Sequence, residues 1–250
     1  MKVTIHPDRP HLGAAAAAEA EALLVTACRA RGRATLVVAT GASQFEVLAA
    51  LAASREIPWE TIEVFHLDEY VGLGDEHPAG FVRYLRERFL DRLPRPPAAF
   101  HALDGHADPA AECVRLARLV PQGDFDLALV GIGENAHLAF NDPPADFSTT
   151  EPYIVVPLDD ACRRQQVGEG WFPSLADVPT RAISMTVRRI LASRAIICSV
   201  PGPQKAEAVR ASLEGPLTPA VPASILREHA DCRLHLDKAA ASLLTRTAGG

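Results

Sequence analysis

The sequence predicts an α/β fold: a three-layer, Rossmann-like, mostly parallel sheet with helices on both faces. Two observations carry that expectation. Short β-branched runs alternate along the chain with longer segments rich in alanine and leucine, the pattern of a sheet whose strands are joined by crossover helices. Glycine-bearing turns then follow several of those runs, where the chain would leave a sheet at its carboxyl edge, the place where open α/β sheets bind ligands. With 250 residues, 48% of them hydrophobic, the chain can bury one large core. A single domain over residues 1–250 is expected.

The strands are expected at Thr35 to Thr40, Thr61 to Leu67, Phe125 to Val130, Tyr153 to Leu158, Ala182 to Met185 and Ala195 to Val200. Between them, helices are expected over roughly 13 to 31, 43 to 53, 79 to 91, 109 to 120, 186 to 193, 203 to 213 and 238 to 246. The alanines near 14 to 22 and 239 to 241 fit as helix formers. From Asn141 to about Asp177 the chain is rich in proline, glycine and acidic residues. A segment of that length in a compact domain is expected to be a lid over an active site.

Several partners are disfavoured. The formal charge is −6, and no run of lysine and arginine builds a basic stripe, which argues against nucleic acid. No apolar run approaches the roughly 20 residues that span a bilayer, and the opening lacks the pattern of a signal peptide. A cytoplasmic protein with a small-molecule partner and no membrane association is expected. Cys28, Cys113, Cys162, Cys198 and Cys232 are widely spaced, without a CxxC pair, and read as reduced packing residues.

Four segments could carry chemistry. In Gly131 to Pro143, GIGENAHLAFNDP, His137 stands between a glycine-bearing turn and Asp142. An imidazole titrates near neutral pH, and a carboxylate bonded to one ring nitrogen would fix its tautomer, so His137 leads as the acid/base group. In FHLDEYVG, two adjacent acids, Asp68 and Glu69, close a strand. Neighbouring strand side chains point to opposite faces, so one of the two can face a pocket. A solvated acidic turn is the alternative, and His66 inside the apolar run reads as a packed strand residue rather than a ligand. Thr40, Gly41, Ala42 and Ser43 close a strand and open a helix, where free N–H groups and the helix dipole suit an anion, with Ser43 placed to cap the helix or donate to a phosphate. Such turns also occur as plain punctuation. Lys205, in GPQKAEAV, begins the helix after the last strand and could reach the same edge. No clustered cysteines and no HxxxH pattern supply a metal set, and no GxSxG elbow marks a serine hydrolase.

Taken together and in order, ATGAS, FHLDEYVGL followed by HP, GIGENAHLAFNDP, and VPTRAISM followed by GPQKA resemble the glucosamine-6-phosphate deaminase family, related to the 6-phosphogluconolactonases. The resemblance spans nearly the whole chain, and AFNDP is similar to the deaminase form of the histidine motif. It implies that Asp68 moves a proton between carbons 2 and 1 of the opened sugar. His137 would open the ring, oriented by Asp142 with Asn135 beside it. Thr40, Gly41, Ala42, Ser43 and Lys205 would hold the phosphate, and Glu69 would support. It implies hexosamine 6-phosphate as substrate, no metal or other cofactor, and admits a homo-oligomer. Within that resemblance the chain has its own residues. Asn135 and Ala136 stand where many deaminases carry Asp and Gly, Asp142 where Glu is usual, Gly80 where Ser is usual, and Gly170 where a phosphate-binding Arg is expected. A lactone hydrolase and a non-catalytic sugar-phosphate sensor are the alternatives.

Overall fold

The computed structural model describes residues 1–245. Seven strands form one wholly parallel sheet: β1 (Lys2–His6), β2 (Ala34–Val38), β3 (Ile62–His66), β5 (Ala99–His101), β6 (Phe125–Val130), β9 (Ser193–Val200) and β10 (Cys232–Asp237). Their spatial order is β1-β10-β9-β6-β2-β3-β5. From β2 the chain builds outward through β3 to β5, and from β6 it builds the other way through β9 to β10. The order therefore reverses between β2 and β6, and the loops leaving those neighbouring strands flank a crevice at the carboxyl edge.

Each central strand is buried on both faces over most of its length, which is why β2 and β6 read as mostly apolar rather than alternating runs. Val37, Phe65, Ala128 and Ile196 enter one core, and Leu36, Val64, Leu127 and Ile197 enter the other. Helices cover both: α1 (Arg9–Arg31), α2 (Phe45–Ala53), α3 (Phe81–Arg88), α4 (Pro109–Leu119), α6 (Val187–Leu191) and α7 (Ala206–Glu214). In α1 the small residues Ala16, Ala20 and Ala27 are buried with Leu12 and Leu24, a helical stripe that lets the helix lie close to the sheet. It starts four residues earlier than the alanine run predicts, because Asp8 accepts the His11 N–H at 3.0 Å and Pro10 occupies the first turn.

Two expectations need correction. The strands β7 (Tyr153–Pro157) and β8 (Arg181–Met185) do not join the parallel sheet; with β4 (Asp68–Tyr70) they make a separate antiparallel sheet in the order β4-β8-β7. Residues 238–245 form turns rather than a helix, while the expected end at 246 lies outside the described residues. Asp237 takes the N–H groups of Ala240 and Gly202, the side-chain to backbone competition that breaks helices. The segment 141–177 is also more regular than its composition indicates, holding β7 and α5 (Asp160–Gly168), the latter capped by Asp159. Among the described residues no helix is long and apolar enough to cross a membrane.

Candidate active site

One pocket opens at the crevice between β2 and β6 and encloses about 750 Å³, part of it open to solvent. Thr40, Gly41, Ala42, Ser43, Asp68, His137 and Lys205 all line it, although they come from four different strand ends.

The turn after β2 is shaped by its glycine. Gly41 has φ of +97°, a conformation that side chains resist, and it leads into a short 3₁₀ turn at Ala42–Gln44 before α2 begins. Ser43 caps no helix. Its hydroxyl instead accepts from Gln44 Nε2 at 3.2 Å and lies 2.8 Å from where a Cβ on Gly131 would stand, so Gly131 makes room for it. Buried Gln44 also donates to the Val130 carbonyl at 3.2 Å, tying the two loops of the crevice together. Tyr84 fixes the turn from α3 by donating to the Gly41 carbonyl at 2.8 Å.

Asp68 and Glu69 point to opposite sides of β4. Asp68 lines the pocket at 6% exposure, and burial, followed by the charge of Glu69, pushes its carboxyl well above the usual range. Glu69 faces away from the pocket and accepts the N–H groups of Tyr70 and Val82, each at 2.9 Å. Val82 belongs to the first turn of α3, whose own cap residue is Gly80 without a capping side chain, so Glu69 supplies that cap from another element. Burial raises Glu69 to about 7 against the opposing effect of those N–H groups. His66 is buried, accepts the Leu103 N–H at 2.8 Å and is driven by burial to about 3, a neutral packed residue.

His137 sits on a tight turn in which its carbonyl accepts from Gly133 at 3.0 Å and Gly133 accepts from Ala136 at 3.0 Å. The imidazole lies directly on Gly133, where any Cβ would overlap the ring. Its Nδ1 is 3.2 Å from Asp142 Oδ1. Burial alone would raise Asp142, but His137, Asn135 and the Asp159 N–H together outweigh it and hold the carboxyl below its ordinary value. Asn135 accepts the His137 N–H at 3.1 Å and donates its amide to Asp142 at 3.0 Å and to Asp159 at 3.3 Å. An amide at 135 thus bridges two carboxylates, where an aspartate would add a third. Ala136, at φ +67°, takes the left-handed position that glycine suits, at a cost of about 1–2 kcal/mol.

The small antiparallel sheet aligns these groups. Ser184 of β8 pairs with Asp68, accepts the Phe140 N–H at 3.1 Å and accepts from Asn141 Nδ2 at 3.3 Å. Asn141 also donates to the carbonyls of Leu138 and Met185, so β8 holds β4 and the histidine loop in one frame. Lys205 is 5% exposed in the turn after β9; burial lowers its pKa, while Glu169 and Glu134 pull it back up. Gln165, Gln166 and Glu169 of α5 and its end, together with Arg9 of α1, complete the wall. None of these has a local sequence signal; they arrive by packing. His137, Asp142 and Cys162 place ligand atoms within 4.8 Å of one another, the group among the described residues with metal-ligating composition. Burial and the charges of Asp142 and Asp159 push the Cys162 thiol well above its ordinary value, so it packs there as a neutral group.

An open parallel sheet whose switch point gathers a glycine turn, a buried carboxylate, an imidazole and a lysine in one pocket is the architecture of an α/β enzyme. The family model described as glucosamine-6-phosphate isomerases/6-phosphogluconolactonase matches residues 7–235, and the chain belongs to that family. It is 36% identical over 215 residues to glucosamine-6-phosphate deaminase 1 of Bacillus subtilis, covering 84% of this chain and 87% of that protein. It is also 36% identical over 248 residues to a glucosamine-6-phosphate deaminase of Pseudarthrobacter chlorophenolicus, covering 98% and 93%. Among solved structures, a glucosamine-6-phosphate deaminase described as monomeric superposes with a TM-score of 0.89 at 33% identity, over 98% of this chain and 100% of that one. A 6-phosphogluconolactonase from Thermotoga maritima shares the fold, with a TM-score of 0.78 at 17% identity over 95% and 99%.

Proposed function

We propose that this enzyme isomerises and deaminates a hexosamine 6-phosphate, converting glucosamine 6-phosphate to fructose 6-phosphate and ammonia. The carrying observation is that Asp68 and His137 share one pocket with the Thr40–Ser43 turn and Lys205. The deaminase relatives at 33–36% identity over most of the chain support the choice of substrate.

In this reading the turn and Lys205 hold the phosphate, and that remote binding energy positions the sugar. His137, kept in one orientation by Asp142 and the Gly133 surface, passes a proton to the ring oxygen as the pyranose opens. Asp68 then removes the proton from carbon 2 and returns it to carbon 1, passing through an enolamine. Its elevated pKa suits a base that must give the proton back. Water adds to the resulting ketimine at carbon 2, and ammonia leaves as the carbonyl forms. No step calls for a metal or an organic cofactor. The segment 141–177 acts as the lid, with α5 its moving part, since Gln165, Gln166 and Glu169 reach the pocket from it.

The reading carries with it one domain over 1–250, a cytoplasmic setting and a small-molecule partner rather than nucleic acid or membrane. The relative described as monomeric supports action as a single chain, with a homo-oligomer the alternative that sedimentation decides. Product analysis tests the function. Ketose phosphate and ammonia in equal amounts from glucosamine 6-phosphate support it, whereas hydrolysis of a sugar-acid phosphate lactone without ammonia release would replace it with the lactonase reading. Binding without any product would replace it with the sensor reading.

A further inference from the structure

A phosphate monoester carries about −1.5 to −2 charges at neutral pH. Among the described residues, the lysine and arginine side chains that line the pocket are Lys205 and Arg9, and the acids are Asp68 and Glu169. Position 170, where the resemblance expects an arginine, is a glycine with φ +82°. Buried Lys205 therefore faces a dianion with an acidic neighbour and no arginine from the α5 side.

Arg9 comes from the first turn of α1. Gly13, one turn on, packs against Glu46 of α2 so closely that a Cβ there would overlap the glutamate side chain. This close approach lays the Arg9 guanidinium on the Thr40–Ser43 turn. Its Nη2 donates to the Ala42 carbonyl, Nε lies 2.7 Å from Glu46 Oε1, and the guanidinium carbon is 5.7 Å from the Phe45 ring centroid. A guanidinium has five N–H donors in a fork that matches phosphate oxygens. Ala42 engages one and Glu46 faces another, leaving donors for an anion in the pocket that Arg9 lines.

We propose that Arg9 is the second cation of the phosphate site, held on the turn by Ala42 and Glu46 and meeting the phosphate from the α1 side while Lys205 meets it from the β9 side. The assignment rests on the hexosamine 6-phosphate reading. Glu46 then has a double part: it positions the guanidinium and competes with phosphate for it. That competition separates a binding role from a structural ion pair. Loss of Glu46 should leave phosphate binding intact or tighten it if Arg9 binds phosphate, but should mimic loss of Arg9 if the pair only braces α1 on α2.

The test is calorimetric titration of inorganic phosphate into wild type, Arg9→Gln, Arg9→Lys and Glu46→Gln, with KM and kcat for glucosamine 6-phosphate measured alongside. Arg9→Gln is expected to weaken phosphate about tenfold or more and to raise KM by more than it lowers kcat, because a charge-assisted bond is lost. Arg9→Lys is expected to recover part of the loss, and Glu46→Gln to bind phosphate at least as tightly as wild type. Unchanged phosphate binding in Arg9→Gln overturns the proposal, as does a loss in Glu46→Gln equal to that in Arg9→Gln. Should Arg9→Gln fail to fold, the Arg9→Lys and Glu46→Gln results decide in the same directions. A wild type that binds neither phosphate nor glucosamine 6-phosphate overturns the functional reading and this assignment with it.

Discussion

Gly133→Ala should disable the enzyme while leaving its fold in place. The His137 ring rests on Gly133, and an added Cβ would overlap it, so the imidazole must swing off the turn. Doing so breaks the 3.2 Å approach of Nδ1 to Asp142 and moves the ring from the pocket position in which it is proposed to open the sugar. A displacement of about 1 Å costs on the order of 10²-fold in rate, and complete loss of general acid–base catalysis costs on the order of 10²–10⁴-fold. The expected fall in kcat/KM therefore lies between those bounds, about 3–5 kcal/mol of transition-state stabilisation. Alanine is conformationally allowed here, since Gly133 does not occupy the left-handed region, so thermal unfolding should shift little. The assay is ammonia release at saturating and limiting substrate, with circular dichroism melting as the control. Activity within threefold of wild type in Gly133→Ala would refute the placement of His137 as the ring-opening group.

Two further substitutions probe the carboxylates. Glu69 is raised from 4.5 to about 7, so its contribution is full below 4.5 and is lost as pH rises through about 7, a decline on the order of 3 kcal/mol. Glu69→Gln should flatten that slope in urea unfolding series between pH 4.5 and 7, while lowering stability at pH 7 by about 1–3 kcal/mol, because its amide nitrogen would face an N–H donor. The same substitution removes a negative charge beside Asp68, so the acidic limb of the kcat/KM profile should move to lower pH; a limb that stays put would disconnect the pair. Asn135→Asp, although it brings in the residue the resemblance favours, should destabilise by about 1–3 kcal/mol and lower activity, since it replaces a donor to Asp142 and Asp159 with a third carboxylate. Denaturant midpoints and kcat/KM check it, and a gain in both would contradict the bridging role.

The sequence made the central strands and the site loops legible for the same reason. β2, β3, β6 and β9 are buried on both faces over most of their length, so they are mostly apolar, and the turns after them carry their glycines and polar groups in short local motifs. β1, β5 and β10 lack such a run: β1 is a half-exposed edge, β5 has three residues, and β10 places Arg233 and His235 between its apolar positions. β4 is hidden because two of its three residues are acids chosen for pocket and cap rather than for strand propensity. α5 lacks an apolar stripe because only Cys162 and Gln166 are buried, and its glutamine-rich face turns to the pocket. Arg9 had no motif at all, since its position depends on how Gly13 lets α1 meet α2, a fact of packing.

The most direct measurement is coupled detection of ammonia from purified enzyme supplied with glucosamine 6-phosphate, with Asp68→Asn assayed beside it. The account predicts release by the wild type and a loss of about 10²-fold or more in Asp68→Asn, which keeps the shape of the side chain but cannot accept the carbon-bound proton. Undiminished release by Asp68→Asn, or none from a wild type that still binds the sugar phosphate, would contradict it.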